Sequence, residues 1–432
     1  MAVPRRRKFE VFVFGDGESG ELALGSRNAT NVKRPRRNEK LGGVVSLSAG
    51  GMHGVALTSD HKVLTWGVND QKALGRDTSW DGGLRDVADT SDSEDNDSEL
   101  NPLESTPGLM ASGELPSDAR ATQAVAGDST TLVLSEGGLV YGCGTFRDGS
   151  GACRFTLDKS TREPVEYQPT LGQIRGLSNI TSVAVGDNFA LALDASGVVF
   201  AWGSGEQHQL GRKIVERRRL LALLPAKLGL PKRCKIRSIH AGADHAFAID
   251  RNGDTWAWGL NNWGQTGIPA NAGRDEASII GPQKVAALAG RRMKMISGGR
   301  HHSIGITEDG ACLVWGRADG GQLGVDSGVL ANQDEKIVLR DARGKPRALL
   351  TPTKLPIPGR CVFAAAGSDH SIVLNHSGKA FSFGFNVSYQ CGQGNEDDIL
   401  VPTMIDNTAV RGARICWAGA GGQYSMLAAY KN

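Results

Sequence analysis

An interval of 14 residues recurs six times along this chain of 432 residues. In its first occurrence it separates His53, which follows a glycine-rich turn, from Gly67, which ends an aromatic–glycine pair. The other occurrences begin at Thr130, Phe189, His245, His302 and His370. A fixed spacing between residues whose intervening sequence varies is typical of a repeated structural unit, because its turns need glycine while its exposed faces do not.

Each unit predicts short strands. Residues 53–67 alternate apolar and polar side chains on either side of a central turn, which indicates a β-hairpin. The one candidate helical stretch is 217–224. Strand-built repeats of roughly 50–60 residues favour propeller blades over a solenoid. The 58 glycines agree with many tight turns.

The two chain ends each carry half a unit. Phe14 and Gly15 lack the preceding turn and strand, and residues 420–430 lack the following aromatic–glycine pair. Strand 9–14 should therefore pair with the C-terminal strands, which leaves no open sheet edge. Six complete units and two halves predict an all-β, seven-bladed β-propeller over residues 9–432, preceded by a basic tail at 1–8.

Composition and missing motifs exclude several functions. The net charge is +3, and the seven cysteines are widely spaced without a CxxC pair, so we expect neither a disulfide framework nor a zinc site. No long apolar run is present, which favours a soluble intracellular protein without membrane contact. Phosphate-loop, zinc-protease and serine-hydrolase motifs are also missing, so we expect no cofactor and no covalent catalysis. The recurring histidines and tryptophans are interpreted as blade packing.

Two segments interrupt the repeat with biased charge. Residues 81–118 are predicted to be an acidic, disordered insertion, because 81–104 contain nine carboxylates against Arg85 alone. An inert loop and a docking segment are both open interpretations. Residues 212–237 hold ten Lys or Arg and one acid, Glu216. Three consecutive arginines there suit an acidic protein surface or phosphates, although such clusters are often only solvated: Arg217, Arg218 and Arg219.

A glycine-rich loop at 144–155 takes the place of the usual turn in the third unit. It carries Phe146, Arg147 and Asp148 and could project from the propeller face as a hairpin, or be an irregular loop. Two short basic runs, at 4–8 and 33–37, fit nuclear import or contact with a DNA backbone.

Residues 49–79, 144–151 and 297–303 resemble the regulator of chromosome condensation family, the guanine-nucleotide exchange factors of the small GTPase Ran. The resemblance extends from residue 9 to the end of the chain. It implies that one propeller face binds Ran and that a β-wedge enters the nucleotide site and disturbs its phosphate loop and Mg²⁺. The matching wedge residues are Phe146, Arg147, Asp148, Gly149, Ser150 and Gly151.

The resemblance also implies further residues on the Ran-binding face. Asp128 and His301 match positions that act in exchange, and Glu18 stands where the family has Asp. A further acidic position of the family falls on Asn188, next to Asp187. Tyr424 replaces a histidine of the last unit.

For chromatin, the resemblance implies a basic tail on DNA and an arginine-bearing loop on the acidic patch of the nucleosome. The candidates are Arg5, Arg6 and Arg7 for DNA, and Arg217, Arg218 and Arg219 for the acidic patch. We expect a nuclear, chromatin-associated monomer. An alternative is a propeller scaffold without exchange activity that binds chromatin or another GTPase. A propeller with its own active site is a third hypothesis, without a metal or nucleophile constellation to support it.

Overall fold

A computed structural model describes residues 7–27, 30–81, 100–275 and 277–431 of the chain. Within these residues, seven antiparallel sheets follow one another around a central channel, six of four strands and one of five. The prediction of an all-β, seven-bladed propeller is confirmed. In each blade the first strand lines the channel, and the second, third and outer strands follow it outward.

The first three blades contain the following strands, from the channel outward. Blade one has Val44–Ala49, His53–Thr58, Val63–Gly67 and Gly108–Leu109. Blade two has Ala121–Ala126, Thr130–Ser135, Val140–Gly144 and Gln168–Gln173. Blade three has Ile180–Val185, Phe189–Asp194, Val199–Gly203 and Ala226–Lys227.

The other four blades keep the same order. Blade four has Ile236–Ala241, His245–Asp250, Thr255–Leu260 and Ser278–Lys284. Blade five has Met293–Gly298, His302–Thr307, Cys312–Arg317, Pro346–Leu355 and Val338–Arg340. Blade six has Cys361–Ala366, His370–Asn375, Ala380–Gly384 and Ile399–Met404. Blade seven has Ile415–Ala420, Tyr424–Tyr430, Phe9–Gly15 and Val32–Asn38.

Short elements lie in the connections. Two small hairpins follow the third strand of blade two, formed by Phe146–Arg147 with Cys153–Arg154 and by Thr156–Leu157 with Pro164–Val165. The helices within the described residues are the α-helices Pro102–Ser105 and Ser327–Ala331 and the 3₁₀-helices Glu39–Leu41, Glu216–Leu223 and Ala286–Leu288.

Blade seven closes the ring as the half-units predict. Strand Phe9–Gly15 pairs antiparallel with Tyr424–Tyr430, residue against residue, from Phe9 opposite Tyr430 to Gly15 opposite Tyr424. Phe12 and Phe14 are fully buried between blades six and seven. Closure therefore joins the chain ends by both backbone hydrogen bonds and core packing.

The repeated histidines are buried links between blades. His302 Nε2 lies 2.9 Å from Ser371 Oγ in the next blade, and Ser371 donates in turn to the carbonyl of Gln322 at 2.9 Å. The histidine must therefore donate from Nε2, and burial lowers its pKa to about 3, which keeps it neutral. The same arrangement joins His53 to Thr131, His245 to Ser303 and His370 to Ser425.

The tryptophans also connect blades, as predicted. Trp66 Nε1 donates to the carbonyl of Glu21 at 2.8 Å, and Trp258 Nε1 donates to that of Gln209 at 2.9 Å. In the last blade Tyr424 takes the histidine position, and its hydroxyl donates to the carbonyl of His53 at 2.7 Å. The substitution thus keeps a link between blades seven and one.

The predicted insertion at 81–118 is wrong in its second half. Residues 82–99 lie outside the described residues, but 100–118 include the α-helix Pro102–Ser105 and the outer strand Gly108–Leu109 of blade one. Asn101 Oδ1 accepts from Leu103 N at 2.9 Å at the start of that helix, and Met110 is buried between blades one and two. The segment was predicted to be disordered because its overall composition is acidic, although these few residues form helix and strand.

The propeller has two unlike faces. The front face carries the turns between first and second strands, and the loops after the third strands begin there as well, because each third strand ends opposite the start of the second. The back face carries the turns between second and third strands and the links to the next blade. No helix within the described ranges is long and apolar enough to cross a membrane.

Candidate functional site: the front face

Turns around the channel mouth form a nearly continuous ring of backbone hydrogen bonds. Each turn begins with a glycine after the first strand, which lets the turns of neighbouring blades approach closely. The bonds run from Gly51 N to Gly127 O, Asp187 N to Ala243 O, Ala243 N to Gly299 O, Arg300 N to Ser368 O, Ser368 N to Gly421 O, and Gly422 N to Gly51 O, at 2.9–3.3 Å. The side chains that follow the glycines are therefore held on a rigid rim.

Three successive blades place a carboxylate on this rim: Asp128, Asp187 and Asp244. Burial, then the charges of Asp128 and Asp244, raises the pKa of Asp187 from 3.8 to about 7. Burial also raises the pKa of Asp244 to about 6, against the lowering effect of Arg300. The rim thus holds a cluster of carboxylates whose mutual repulsion is only partly offset by Arg300, so a further cation would bind there favourably.

Asp244 and Arg300 were missed by sequence reasoning. Asp244 lies two residues after the turn glycine Gly242, and Asn188 lies two residues after Gly186. Superposing the seven turns would have shown that Asp244 shares the position of Asn188. Arg300 is exposed on the rim of blade five and faces both Asp187 and Asp244.

His301 follows Arg300 and lies half-buried against Trp263, with ring centroids 6.1 Å apart. Burial lowers its pKa to about 4, and the neighbouring Arg300 and Arg317 add to this effect. It is therefore neutral at physiological pH, able to offer a hydrogen bond rather than a charge. The guanidinium of Arg317 lies over the Trp263 ring at 5.0 Å and packs it in place.

The loop at 144–155 is a hairpin, which is one of the two alternatives that its glycine-rich sequence left open. Phe146 pairs with Arg154 and Arg147 with Cys153, while the Phe146 ring stacks on Phe155 with centroids 5.8 Å apart. Phe146 is fully buried between blades two and three, so the base of the hairpin is anchored in the core.

The tip of the hairpin is exposed. Asp148 accepts hydrogen bonds from Ser150 N and Ala152 N, both at 3.0 Å, and pairs with Arg154, which shapes a tight turn. Gly149, Ser150 and Gly151 are exposed, and a Cβ added at Gly151 would have no atom within 4 Å. An anchored base with an exposed tip is the geometry that a wedge requires.

Two side chains of blade three contact this hairpin. Asn188 Oδ1 accepts from the backbone N–H of Arg147 at 2.7 Å, and Glu206 accepts from the N–H of Gly149. Asn188 is thus engaged with the hairpin itself, whereas Asp187 beside it lies on the acidic rim. Glu206 was missed by sequence reasoning, because its partner is distant in sequence.

Glu18 lies exposed in the loop after Phe9–Gly15, on the front face. Its backbone N–H donates to Asp16 Oδ1 at 2.9 Å. Nearby Glu21 is buried, and this burial, with the charges of Asp16 and Glu18, raises its pKa to about 7. Blade seven therefore adds a second acidic group to the front face.

A family model described as the RCC1-like domain matches residues 10–427. The chain belongs to the RCC1-like domain family. It is 38% identical to the protein pim1 of Schizosaccharomyces pombe, over 98% of this chain and 75% of that one. It is 37% identical to the guanine nucleotide exchange factor SRM1 of Saccharomyces cerevisiae, over 98% of this chain and 87% of that one.

A solved structure also matches this RCC1-like chain. The crystal structure of Prp20p from Saccharomyces cerevisiae, described with its binding properties to Gsp1p and histones, superposes with a TM-score of 0.87. The two chains are 36% identical, and the match covers 99% of this chain and 92% of the other.

The three predicted arginines of the RCC1-like chain lie on the 3₁₀-helix Glu216–Leu223 and are exposed. Arg219 pairs with Glu216 at 3.1 Å. Arg219 and Leu220 also line a groove whose other wall includes Phe146 and Asp148 of the hairpin. The basic helix and the hairpin therefore lie side by side. Of the tail candidates, Arg5 and Arg6 lie outside the described residues.

Arg7 is described, and its guanidinium lies 5.6 Å from the centre of the Tyr430 ring. Arg7 therefore lies near the back face of the propeller, where the second strand of blade seven, Tyr424–Tyr430, ends. Further exposed basic side chains stand on back-face turns and links. Two of them, Lys232 and Arg233, lie in the basic segment 212–237, and the others are scattered in sequence and so were not found as a cluster: Arg120, Arg175, Arg251, Arg291, Arg360 and Arg414. Some acidic side chains on the back face form salt bridges with these or neighbouring basic side chains, such as Glu308 with Arg292 at 3.1 Å.

Proposed function

We propose that this chain is a guanine-nucleotide exchange factor for the small GTPase Ran, acting through its front face while basic elements hold it on chromatin. The observation that carries the proposal is the hairpin at 144–155, anchored by Phe146 and exposed at Gly149–Gly151, beside the acidic rim. Relatives named guanine nucleotide exchange factor SRM1 and Prp20p, which is described with Gsp1p and histones, support it.

The physical basis of exchange is thermodynamic linkage. If the chain binds the nucleotide-free GTPase more tightly than the nucleotide-bound form, it must weaken nucleotide binding by the same factor. An acceleration of 10⁵-fold corresponds to about 7 kcal/mol of differential stabilisation. The chain needs no bond-making group for this, and the ratio of GTP to GDP sets the direction of exchange.

The front face has the two elements that such stabilisation needs. The carboxylates of Asp128, Asp187 and Asp244 lie on a rim fixed by backbone hydrogen bonds and would bind basic side chains of the GTPase. The exposed hairpin tip would occupy space that the bound nucleotide or its phosphate-binding loop needs. His301, neutral at physiological pH, would contribute a hydrogen bond.

Chromatin binding is assigned to the basic elements. Arg217, Arg218 and Arg219 would meet an acidic histone surface, because guanidinium groups pair well with carboxylates. Arg5, Arg6 and Arg7, with the back-face bases, would contact DNA phosphates. This assignment supports a nuclear location on chromatin.

The test is the release of labelled GDP from Ran with and without the chain. We expect strong acceleration at micromolar protein. No acceleration, together with intact histone binding, would instead favour the scaffold without exchange activity, for which Glu18 and Asn188 are the departures from the family pattern.

A further inference from the structure

We propose that Glu206 is a positioning residue for nucleotide exchange: its carboxylate fixes the tip of the hairpin from the neighbouring blade. The inference rests on the proposed exchange function. Glu206 lies in the loop that follows the third strand of blade three, whereas the hairpin belongs to blade two. Its Oε2 accepts a hydrogen bond from the backbone N–H of Gly149.

The hairpin needs outside support because its own pairing is minimal. Its strands pair over two positions, Phe146 with Arg154 and Arg147 with Cys153. An isolated two-stranded hairpin is marginally stable in water. Asn188 holds the first strand through Arg147 N, but the tip beyond Asp148 lies outside the core.

The surroundings of Gly149 show how closely the Glu206 carboxylate approaches the hairpin tip. A Cβ added at this position would lie 2.4 Å from Glu206 Oε2, closer than any real contact allows. Gly149 is not among the glycines with positive φ, so its backbone does not require glycine. A side chain at position 149 would therefore push the flexible Glu206 carboxylate away from the Gly149 N–H, so Gly149→Ala should weaken this contact.

The charge of Glu206 strengthens this contact. A hydrogen bond from a backbone N–H to a carboxylate is shorter and about twice as strong as a neutral one. The same carboxylate faces Asp244 on the rim and helps raise its pKa. One exposed side chain thus connects the hairpin tip electrostatically to the acidic rim.

The experiment compares Glu206→Ala, Glu206→Gln, Gly149→Ala and the double variant Glu206→Ala with Gly149→Ala. Glu136→Ala, an exposed glutamate on the back face, is the matched control. Hydrogen–deuterium exchange of the segment 145–155 in the free protein reports the hairpin directly. Steady-state release of labelled GDP from Ran gives kcat and KM separately.

We expect Glu206→Ala to increase deuterium uptake at 145–155 and to lower kcat about tenfold to a hundredfold, with KM nearly unchanged, since a misplaced group costs this much. Glu206→Gln keeps an acceptor and should recover most of kcat. Gly149→Ala should match Glu206→Ala, and the double variant should be no worse than Gly149→Ala alone.

Unchanged deuterium uptake in Glu206→Ala would overturn the proposal, and a raised KM with unchanged uptake would assign Glu206 to direct contact with the GTPase instead. Additive losses in the double variant would also contradict it. If the unmodified chain accelerated no GDP release, the exchange function would fail, while deuterium uptake would still decide whether Glu206 holds the hairpin.

Discussion

The side-chain Oδ1 of Asn188 accepts a hydrogen bond from the backbone N–H of Arg147 at 2.7 Å. This contact joins blade three to the hairpin of blade two, 41 residues away along the chain. The family resemblance puts an acidic residue at position 188, and a carboxylate would accept the same hydrogen bond. The departure from the family pattern therefore preserves the contact.

We predict that Asn188→Asp keeps the exchange rate within about twofold, whereas Asn188→Leu loses the acceptor and leaves the Arg147 N–H unpaired. An unpaired, partly buried N–H costs about 1–3 kcal/mol. Part of this cost should appear as greater deuterium uptake at 145–155 and a lower kcat for GDP release. Equal kcat values for the two variants would show that the contact has no role in exchange.

The acidic rim predicts a pH dependence of GTPase binding. The pKa of Asp187 is raised to about 7, so this group is largely protonated at pH 6 and ionised at pH 8. It faces Asp128, Asp244 and Arg300. Under the proposed function basic side chains of Ran bind the ionised form, so KM for Ran should fall as pH rises from 6 to 8. In Asp187→Asn that fall should be smaller, and an unchanged profile would contradict the assignment.

The same group also predicts the pH dependence of stability. The native chain holds this proton more tightly than the unfolded chain, where the pKa has its ordinary value of 3.8. The contribution of Asp187 to the free energy of unfolding should therefore decline as pH rises from about 4 to about 7. Denaturant unfolding of Asp187→Asn against the parent chain measures this difference, which should shrink toward low pH.

The buried histidines that join neighbouring blades are predicted to contribute to stability and to have no direct role in nucleotide exchange. His302→Ala removes a fully buried ring and leaves Ser371 Oγ without its donor, which should cost about 2–4 kcal/mol. The exposed His376→Ala is the control and should change the free energy of unfolding by less than about 0.5 kcal/mol. Similar values for both variants would refute the structural role of the link.

The basic helix predicts separable defects. Arg218 is exposed and does not line the groove beside the hairpin, unlike Arg219. Arg218→Glu should weaken histone binding at least about tenfold, or ~1.4 kcal/mol, with GDP release unchanged. Asp128→Ala should slow GDP release with histone binding unchanged. Equal loss of both activities in either variant would contradict the separation.

The fold could be predicted from the sequence because every blade needs glycines at its turns and the same number of residues between them. Both features are visible in the sequence. The interval between His53 and Gly67 corresponds to the strand pair that the structure shows, with these two residues opposite each other. The half-units at the chain ends likewise predicted that Phe9–Gly15 completes blade seven. Residues 100–118 were misassigned, because a few apolar contacts such as Met110 outweigh an acidic composition.

The candidate site was only partly predictable. Hairpin 144–155 stands out along the sequence and Asp128 was found through the family resemblance, but the partners of the hairpin come from another blade. Glu206 becomes a neighbour of the hairpin only when blade three packs on blade two, and Asp244 becomes a neighbour of Asp187 only when blade four packs on blade three. Most of the exposed basic residues on the back face are also far apart in the sequence, because they come from different blades.

The central claim is that the exposed hairpin tip expels the nucleotide. Replacing residues 148–151 by Gly-Gly keeps the buried anchor Phe146 and removes the tip. Rapid-mixing measurement of labelled GDP release from Ran at saturating protein tests this variant directly. The account predicts a loss of at least about a hundredfold in the maximal rate, with histone binding intact. A maximal rate equal to that of the parent chain would contradict it.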